Sequence, residues 1–351
     1  MKPSTSILSI AAIVLAGTIA SSSAQNATTD PVGFITMNIT AGTGAAKKIS
    51  LISAPLLDVA SINGSVTGSL TGVTSTTLSC TSANWTAGAL SQAATPFLIQ
   101  ITSGNATGHI LLISTTTNNT DSTITINSDD VTAANSNISS LGIAVGDSFK
   151  IIPCDTLSTF LGTPATTGVL GNTTAATADT VIMIVNGVSS TYFYSSTLAR
   201  WTKNALGSAD SSNVPIRPNA GFQYCRLGNT ALSLTVTGSV PTIARKAPVK
   251  NSGITYLASF FPADVTLSST GLQSLSNWTT GASASVSDTI TIFSSGLSST
   301  YYHNGTNWVK NALGSANSDS LVIPAGSSVL INQRGTATLS SSFSQAAPYS
   351  L

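Results

Sequence analysis

Short apolar runs separated by turn residues recur along most of the chain, and they predict strands rather than helices. Three such runs lie at 97–102, 108–114 and 122–127, with Gly- and Asn-rich turns between them. A later run, DTITIF at 288–293, alternates polar and apolar residues. Such alternation places the apolar side chains on one face of a strand. The pattern predicts short antiparallel strands that pack as small barrels or sandwiches.

A long internal repeat divides the second half of the chain. The decamer WTKNALGSAD at 201–210 returns as WVKNALGSAN at 308–317, and flanking matches keep an offset of 107 to 109 positions. A chance match would not keep its offset over so many residues. We therefore predict two tandem copies, at residues 146–245 and 253–345, joined by a linker at 246–252.

The predicted fold class is all-β. A signal peptide at residues 1–24 precedes a small N-terminal barrel- or sandwich-like β domain at 25–145, and two homologous antiparallel β-sandwich-like domains follow. A different division stays open, because LISAPLLD at 51–58 echoes YLASFFPAD at 256–264. In that alternative, residues from about 76 to 150 are inserted into the first copy.

Each copy contains an aromatic hairpin. In the second copy, Asn304-Gly305 predicts a two-residue turn that sets Tyr301 opposite Trp308. In the first copy, a four-residue loop at 195–198 sets Tyr192 opposite Trp201. The two loops differ by an even number of residues, so the side chains keep their faces. We interpret both aromatic pairs as structural.

The composition and the N-terminus indicate export. Charged residues make up 7% of the chain, against roughly 25% in ordinary soluble proteins, and the net charge is +1. A chain so close to neutral lacks the positive charge that is typical of nucleic-acid-binding proteins. Lys2, an apolar run at 7–20 and small residues at 21–24 predict a signal peptide that is cleaved after Ala24. We expect a secreted protein at the extracellular or outer cell surface, with the periplasm also open, and no transmembrane segment after cleavage.

The cysteines offer one candidate cross-link. Three cysteines in an oxidising compartment allow at most one internal disulfide. Cys154 and Cys225 are the candidate pair, and the second copy has a cysteine at neither position. Cys80 would then remain as a free thiol or form an intermolecular disulfide. No pair of cysteines has the spacing of a zinc site.

The residues that could carry catalysis are few. His109 and His303 are the only histidines, and we predict both to be solvated strand or turn residues. Asp179 and Asp288 begin the same strand in the two copies, which favours turn caps over a catalytic pair. Asp121, Asp129 and Asp130 lack the spacing of a calcium loop and are also interpreted as turn residues. The sequence therefore predicts no catalytic, metal or cofactor-binding residue, and no cofactor.

Several segments resemble a family of uncharacterised secreted proteins from Gram-negative bacteria. They are DPVGFITMNI at 30–39, FLIQITSGNATGHILLI at 97–113, GDSFKIIPCDTLSTFLG at 146–162 and the TYFY…W hairpin. The mature chains of that family open with an Asp-Pro-Val-Gly-aromatic motif. The resemblance covers most of residues 30–240 and implies export and a β-rich fold, with no activity or site residue to carry over. The second copy stands as an addition to the pattern.

These observations favour a noncatalytic structural protein that associates with itself in an envelope layer, filament or extracellular matrix. Its partners would be further copies of itself or cell-surface components, because scarce charge removes the repulsion that keeps proteins apart. The alternative is an extracellular glycan-binding protein that stacks sugars, a polysaccharide partner, on its tryptophans, Trp85, Trp201, Trp278 and Trp308. A secreted hydrolase is the third hypothesis.

Overall fold

Nearly every element of this protein is a β-strand, as its short apolar runs predict. The structure, a computed structural model, describes residues 31–58, 64, 66–185, 188–205, 209–312, 316–336 and 340–350. The predicted signal peptide, residues 1–24, lies outside the described residues. Within the described residues only two short α-helices occur. The all-β prediction is confirmed.

The elements follow one another in four segments. Within the described residues, the first segment contains β1 (Val32–Ile39) and β2 (Lys48–Ile52). A second segment contains β3 (Thr67–Ser69), β4 (Gly72–Val73), β5 (Thr77–Ser79), β6 (Phe97–Ile101), β7 (Ile110–Leu112), β8 (Thr123–Thr125), α1 (Ser128–Ala133) and β9 (Ser148–Pro153). A third contains α2 (Leu157–Leu161), β10 (Thr180–Val185), β11 (Val188–Ser195), β12 (Arg200–Lys203), β13 (Phe222–Arg226) and β14 (Leu232–Ser239).

The fourth segment completes the chain. It contains β15 (Arg245–Lys250), β16 (Ser252–Ala258), β17 (Val265–Thr266), β18 (Thr289–Ser294), β19 (Leu297–His303), β20 (Trp308–Lys310), β21 (Val322–Ile323), β22 (Ser328–Arg334) and β23 (Ser340–Gln345). Short 3-10 helices lie at Ala89–Ser91, Ile138–Leu141, Ala175–Thr177, Ser268–Thr270 and Leu272–Ser274.

The first and third segments together form one β-sandwich, which we call β-domain 1. Its five-stranded sheet has the order β12-β11-β10-β13-β2, and a two-stranded ribbon, β1–β14, accompanies it. Alternate residues of β1, such as Ile35, Met37 and Ile39, share one buried core with Val181 and Tyr224 of the large sheet. The strict alternation of β1 thus buries one face against the sheet and leaves the other in solvent.

The fourth segment, β-domain 2, repeats this architecture. Its large sheet has the order β16-β22-β18-β19-β20, and its ribbon is β15–β23. Ala247 and Val249 of the ribbon pack into one core with Ile290 and Ile331 of the sheet. Both domains are sandwiches of antiparallel strands, and no sheet closes into a barrel within the described ranges.

The second segment, residues 66–153, forms an insert between β2 and α2. It contains a four-stranded sheet, β3-β9-β6-β7, and a three-stranded sheet, β4-β5-β8, which enclose a separate apolar core. β1 and β2 therefore belong to the sandwich, although the prediction assigns them to an N-terminal domain. β9 pairs with β3 and β6 of the insert, although the prediction assigns it to the first copy.

The strand pairing differs from the predicted boundaries because the partners of a strand can lie far away in sequence. β2 pairs with β13, and β1 pairs with β14. The predicted linker, 246–252, lies in β15 and at the beginning of β16. The pairing follows the alternative division, in which the insert interrupts the first copy. Residues 31–351 form one compact unit.

The repeated decamer has a defined place in each sandwich. Its first residues form β12 or β20, the outermost strand of the large sheet. The last residue of the decamer then pairs with that strand, as Asp210 does with Thr202 in the first copy and Asn317 with Val309 in the second. Each copy thus covers part of the outer edge of its own sheet, which protects the edge from pairing with other chains. Residues 206–208 and 313–315 of the decamers lie outside the described residues.

The two β-domains contact each other reciprocally. Thr180 and Thr289 correspond to each other, because each directly follows the repeated aspartate. Thr180 pairs with Cys225 and Thr289 pairs with Asn332, so β22 corresponds to β13 at an offset of 107 positions. At that offset Ala220 corresponds to Ser327. Ala220 bridges Leu257 on the edge strand of β-domain 2, and Ser327 bridges Ile52 on the edge strand of β-domain 1.

The same contact is therefore made twice, with the domains exchanged. This is the pattern of an isologous two-fold interface, here built within one chain. Backbone hydrogen bonds support it on both sides, since Ser53 N donates to Gly326 O (2.8 Å) and Ala258 N donates to Asn219 O (3.4 Å). Each domain covers the open edge of its neighbour's large sheet.

One pair of corresponding residues meets at the centre of this interface. Gly221 corresponds to Ser328, and a Cβ atom on Gly221 would overlap the Ser328 side chain. The Ser328 side chain is itself buried. The space therefore holds one side chain, on one of the two domains. The close approach is the reason for a glycine at 221. Backbone conformation is not, because Gly221 does not adopt a left-handed conformation.

We expect Gly221→Ser to destabilise the protein by about 1–3 kcal/mol, because overpacking a closed interface forces neighbouring atoms to shift. The second change Ser328→Gly should restore most of that loss, because the pair is related by the pseudo-two-fold. Urea unfolding of both single variants and of the double variant measures this. A double variant that is as unstable as Gly221→Ser would contradict the reciprocal packing.

Candidate functional site

Asp179, at the start of β10, is buried beneath the surface of β-domain 1. Its Oδ2 accepts hydrogen bonds from Leu170 N (2.8 Å), Tyr224 Oη (2.7 Å) and Arg226 Nη1 (2.5 Å). Its Oδ1 accepts from the backbone amide of Leu227 (2.7 Å). The carboxylate thus ties the loop before β10 to the end of β13. It caps the backbone as predicted, although from the interior.

Asp288 performs the same task in β-domain 2 with a different partner. Its Oδ2 accepts from Thr279 N (2.8 Å) and from Gln333 Nε2 (3.4 Å), and its Oδ1 accepts from Arg334 N (2.7 Å). The structural counterpart of Arg226 is therefore Gln333. A sequence offset of 108 positions would instead align Arg226 with Arg334 and Cys225 with Gln333, so the structural correspondence differs from that alignment by one residue.

The two aspartates are engaged by protein donors on both carboxylate oxygens. In β-domain 1 the buried carboxylate faces a buried guanidinium, whereas in β-domain 2 it faces a neutral amide. This arrangement stabilises a loop and leaves neither carboxylate directed at solvent. The repeated aspartate is a structural feature of the sandwich rather than half of an acid–base pair.

The comparison of the two aspartates can be tested directly. Asp179→Asn should lower the free energy of unfolding by about 3–5 kcal/mol, because Arg226 would remain buried without a counter-charge. Asp288→Asn serves as the matched control and should cost about 1–3 kcal/mol, the penalty of unsatisfied hydrogen bonds alone. Urea denaturation of both variants gives the two values, and equal losses would contradict the role of the ion pair.

The predicted disulfide is wrong. Cys154 and Cys225 are free thiols, as is Cys80, and all three are buried. The Cys154 thiol donates to the carbonyls of Asp155 (3.3 Å) and Ile216 (3.5 Å). Burial raises the pKa of Cys154 and the pKa of Cys225, so both stay protonated at neutral pH. Buried, protonated thiols of this kind are poor nucleophiles.

Both aromatic hairpins form, but their predicted register is wrong by two residues. Trp201 lies opposite Tyr194 rather than Tyr192, with ring centroids 6.0 Å apart. Tyr192 lies opposite Lys203. Because the shift is even, every side chain keeps its predicted face.

The second hairpin shows why the register shifts. Trp308 lies opposite His303 rather than Tyr301, which pairs with Lys310. The Asn304 side chain accepts hydrogen bonds from the amides of Thr306 (2.9 Å) and Asn307 (2.8 Å). This Asx turn makes a four-residue loop where the Asn-Gly sequence predicts a two-residue turn.

All four tryptophans are buried. Trp201 donates from Nε1 to Gly162 O (2.8 Å), and Trp308 donates to Gln273 Oε1 (3.3 Å). Trp278 packs against Trp308, and Trp85 packs against Phe149. Each indole therefore belongs to a core. The sugar-stacking hypothesis has no exposed tryptophan on which to act.

The two histidines occupy different environments. His303 lies at the hairpin tip, where its Nδ1 accepts from Gly305 N (3.2 Å). His109 is buried, so the prediction of a solvated residue is wrong for it. Its Nε2 lies 3.1 Å from Ser342 Oγ, which joins the insert to β-domain 2. Burial, and then the nearby charge of Lys246, lower the pKa of His109 to about 4.

The insert also contacts β-domain 1 through two of the three aspartates considered for calcium. Arg217 donates to Asn127 Oδ1 (2.9 Å) and to Asp129 Oδ2 (3.3 Å), and it lies 3.6 Å from Asp130. Asp130 further accepts from Leu112 N. Asp129 and Asp130 lie in the first turn of α1 rather than in a loop turn, and both face the guanidinium. Asp121 lies in a bend before β8, where its Oδ1 accepts from Ser122 Oγ (2.9 Å). In the described part of the chain, no three metal-ligating side chains of His, Cys, Asp or Glu converge.

The structure contains a carboxylate with an altered pKa that the sequence analysis does not single out. Burial, together with the neighbouring Asp58, raises the pKa of Asp155 to about 6. Asp58 and Asp155 stand where the chain leaves β-domain 1 for the insert and where it returns. Thr159 Oγ1 donates to Asp155 Oδ1 (3.0 Å). Their spatial pairing follows from the insertion, so sequence spacing gives no sign of it.

A pH dependence follows from His109. A histidine whose folded pKa lies below its unfolded value of about 6.5 stabilises the fold when neutral. That stability, at most about 3 kcal/mol, should be lost as the pH falls from 6.5 through 4. The measurement is urea unfolding of wild type and His109→Gln at about pH 7 and about pH 4.5. Asp155 titrates with the opposite sign, and the paired comparison removes its contribution. A constant difference between the two proteins would contradict the prediction.

The one surface that stands out is the outer face of the β1–β14 ribbon. Val32 and Phe34 expose 74% and 72% of their surface, the largest exposures among the large hydrophobic residues described. Thr36 and Asn38 complete this face of β1, and Thr36 contacts Thr235 across the ribbon. Neither strand carries a charged residue. Val32 and Phe34 lie next to each other on this face, and adjoining exposed apolar side chains are typical of contact surfaces.

The signal for this surface was present in the sequence as an alternating run with Phe34 on its polar face. Sequence reasoning missed it because the run alone does not say which strands flank β1. Comparison of the chain with protein-family models, with curated proteins and with solved structures finds no match. Within the residues that the structure describes, no helix is both long and apolar enough to cross a bilayer.

Proposed function

We propose that this chain is a noncatalytic secreted or cell-surface structural protein that associates with itself. The observation that carries the proposal is the neutral β1–β14 ribbon, with Val32 and Phe34 exposed to solvent. Association through such a ribbon buries apolar surface, each square ångström of which contributes about 25 cal/mol. The N-terminal sequence, with its predicted cleavage after Ala24, supports export.

The charge of the protein favours the same function. A net charge of +1 on 351 residues gives little long-range repulsion between copies. The polar groups with candidate chemistry, Asp179, Asp288 and His109, make internal contacts that hold loops and segments together. An envelope layer, a filament or an extracellular matrix would each use a rigid sandwich pair of this kind as its repeating unit.

We expect the mature chain, residues 25–351, to show concentration-dependent association in sedimentation velocity. Because the ribbon is uncharged, raising the salt concentration to about 1 M should preserve or strengthen the association. Labelling the native cell surface for electron microscopy should then show an ordered layer or filament. A chain that stays monomeric at every concentration, and gives diffuse label, would overturn the proposal.

A further inference from the structure

We propose that the outer edge of β1 is a strand-addition site whose occupant is β1 of a second copy of this chain. The inference rests on the proposed function and names the strand and the partner. Strand addition is a common way for sheets to recognise one another, since main-chain hydrogen bonds supply the affinity.

The backbone of β1 presents a row of hydrogen-bonding groups to solvent. Val240 N donates to Pro31 O (2.7 Å), which fixes the odd-numbered residues as those that bond β14. In an antiparallel pair the intervening residues direct their N–H and C=O groups the other way. Val32, Phe34, Thr36 and Asn38 therefore form the free edge. No other segment of the described chain hydrogen-bonds to their backbone groups.

The corresponding strand of β-domain 2 is β15. Gly228 and Gly335, which follow β13 and β22, keep the offset of 107, and Thr235 of β14 then matches Ser342 of β23. Thr36 pairs with Thr235, and Pro248 pairs with Ser342. Pro248 thus occupies the place of Thr36, and Lys246 and Lys250 occupy the places of Phe34 and Asn38.

β15 is protected against strand addition, and β1 is not. Proline and lysine on an edge strand discourage pairing, since proline lacks an N–H and lysines repel one another. The insert also covers β15, because Lys246 N donates to Gly108 O (2.9 Å) and Lys246 Nζ donates to Asn105 O (2.6 Å). β-domain 2 carries no insert that could cover β1 in the same way. The edge with exposed apolar residues is therefore the uncovered one.

A second copy of β1 is the occupant that fits this edge. β1 carries no charge, so two copies approach without repulsion. An antiparallel pairing with Phe34 opposite Phe34 sets Val32 opposite Thr36, and all of these residues have free backbone groups. An aromatic pair of this kind stabilises the pairing beyond its backbone hydrogen bonds. The contact is isologous, like the one between the two β-domains, and it closes at two chains.

The test compares Thr36→Pro with Thr36→Ala in the mature chain by sedimentation velocity. Proline removes the outward N–H and leaves the ladder with β14 intact. Pro248 occupies the same position in β15, whose ladder with β23 is intact. Thr36→Ala removes the side chain and keeps that N–H. We expect Thr36→Pro to weaken dimerisation at least tenfold and Thr36→Ala to dimerise as wild type does. Thermal unfolding of each variant checks that it folds.

A second measurement uses Phe34→Cys and Thr36→Cys under mild oxidation. Because the proposed register sets residue 34 against its own copy, Phe34→Cys should cross-link two chains, and Thr36→Cys should cross-link far more slowly. The three native thiols are buried and should not interfere. Equal cross-linking of the two cysteine variants would overturn the register. Unchanged dimerisation of a folded Thr36→Pro would overturn the edge while leaving self-association standing. A monomeric wild type would overturn both.

Discussion

The need to pair or cover every strand edge governs how this protein is built. An uncovered edge exposes backbone donors and acceptors that bind any strand that approaches. The two large sheets solve the problem on their inner edges by covering each other, through the bridges at Ile52 and Leu257. On their outer edges, the returning end of each repeated decamer lies along β12 or β20. The insert then covers the edge of β15. Its counterpart in β-domain 1, β1, keeps an open edge within the described residues.

The duplication preserved this architecture while its buried polar groups diverged. Both copies keep an aspartate that caps the backbone at the start of β10 or β18. One copy balances the carboxylate with Arg226, and the other uses Gln333. A buried charge without its partner is costly, so the two solutions are not interchangeable residue by residue. The repeat therefore conserves the hydrogen-bonded role and varies the chemistry that fills it.

The insert changes the assembly more than it changes the sandwich that contains it. It has its own core, and its contacts reach both β-domains through Arg217 and His109. By lying against β15 it covers the ribbon strand of β-domain 2 that corresponds to β1. A symmetric pair of sandwiches would present two open ribbons, whereas this chain presents one. That difference limits a β1 contact to two chains, and a larger structure would need a further surface.

The sequence alone determined the class of the fold, the existence of a duplicated unit and the faces of its strands. These properties depend on local alternation and on identity at a fixed offset, and both can be read along the chain. The hairpin faces were correct for this reason even though Trp201 and Trp308 pair two residues away from the predicted partners. The tertiary structure alone decided which distant strands pair, that Cys154 and Cys225 stay apart as thiols, and that Asp58 lies near Asp155. It also decided that β1 keeps a free edge. Each of these depends on contacts between residues separated by tens to hundreds of positions, which a local pattern does not encode.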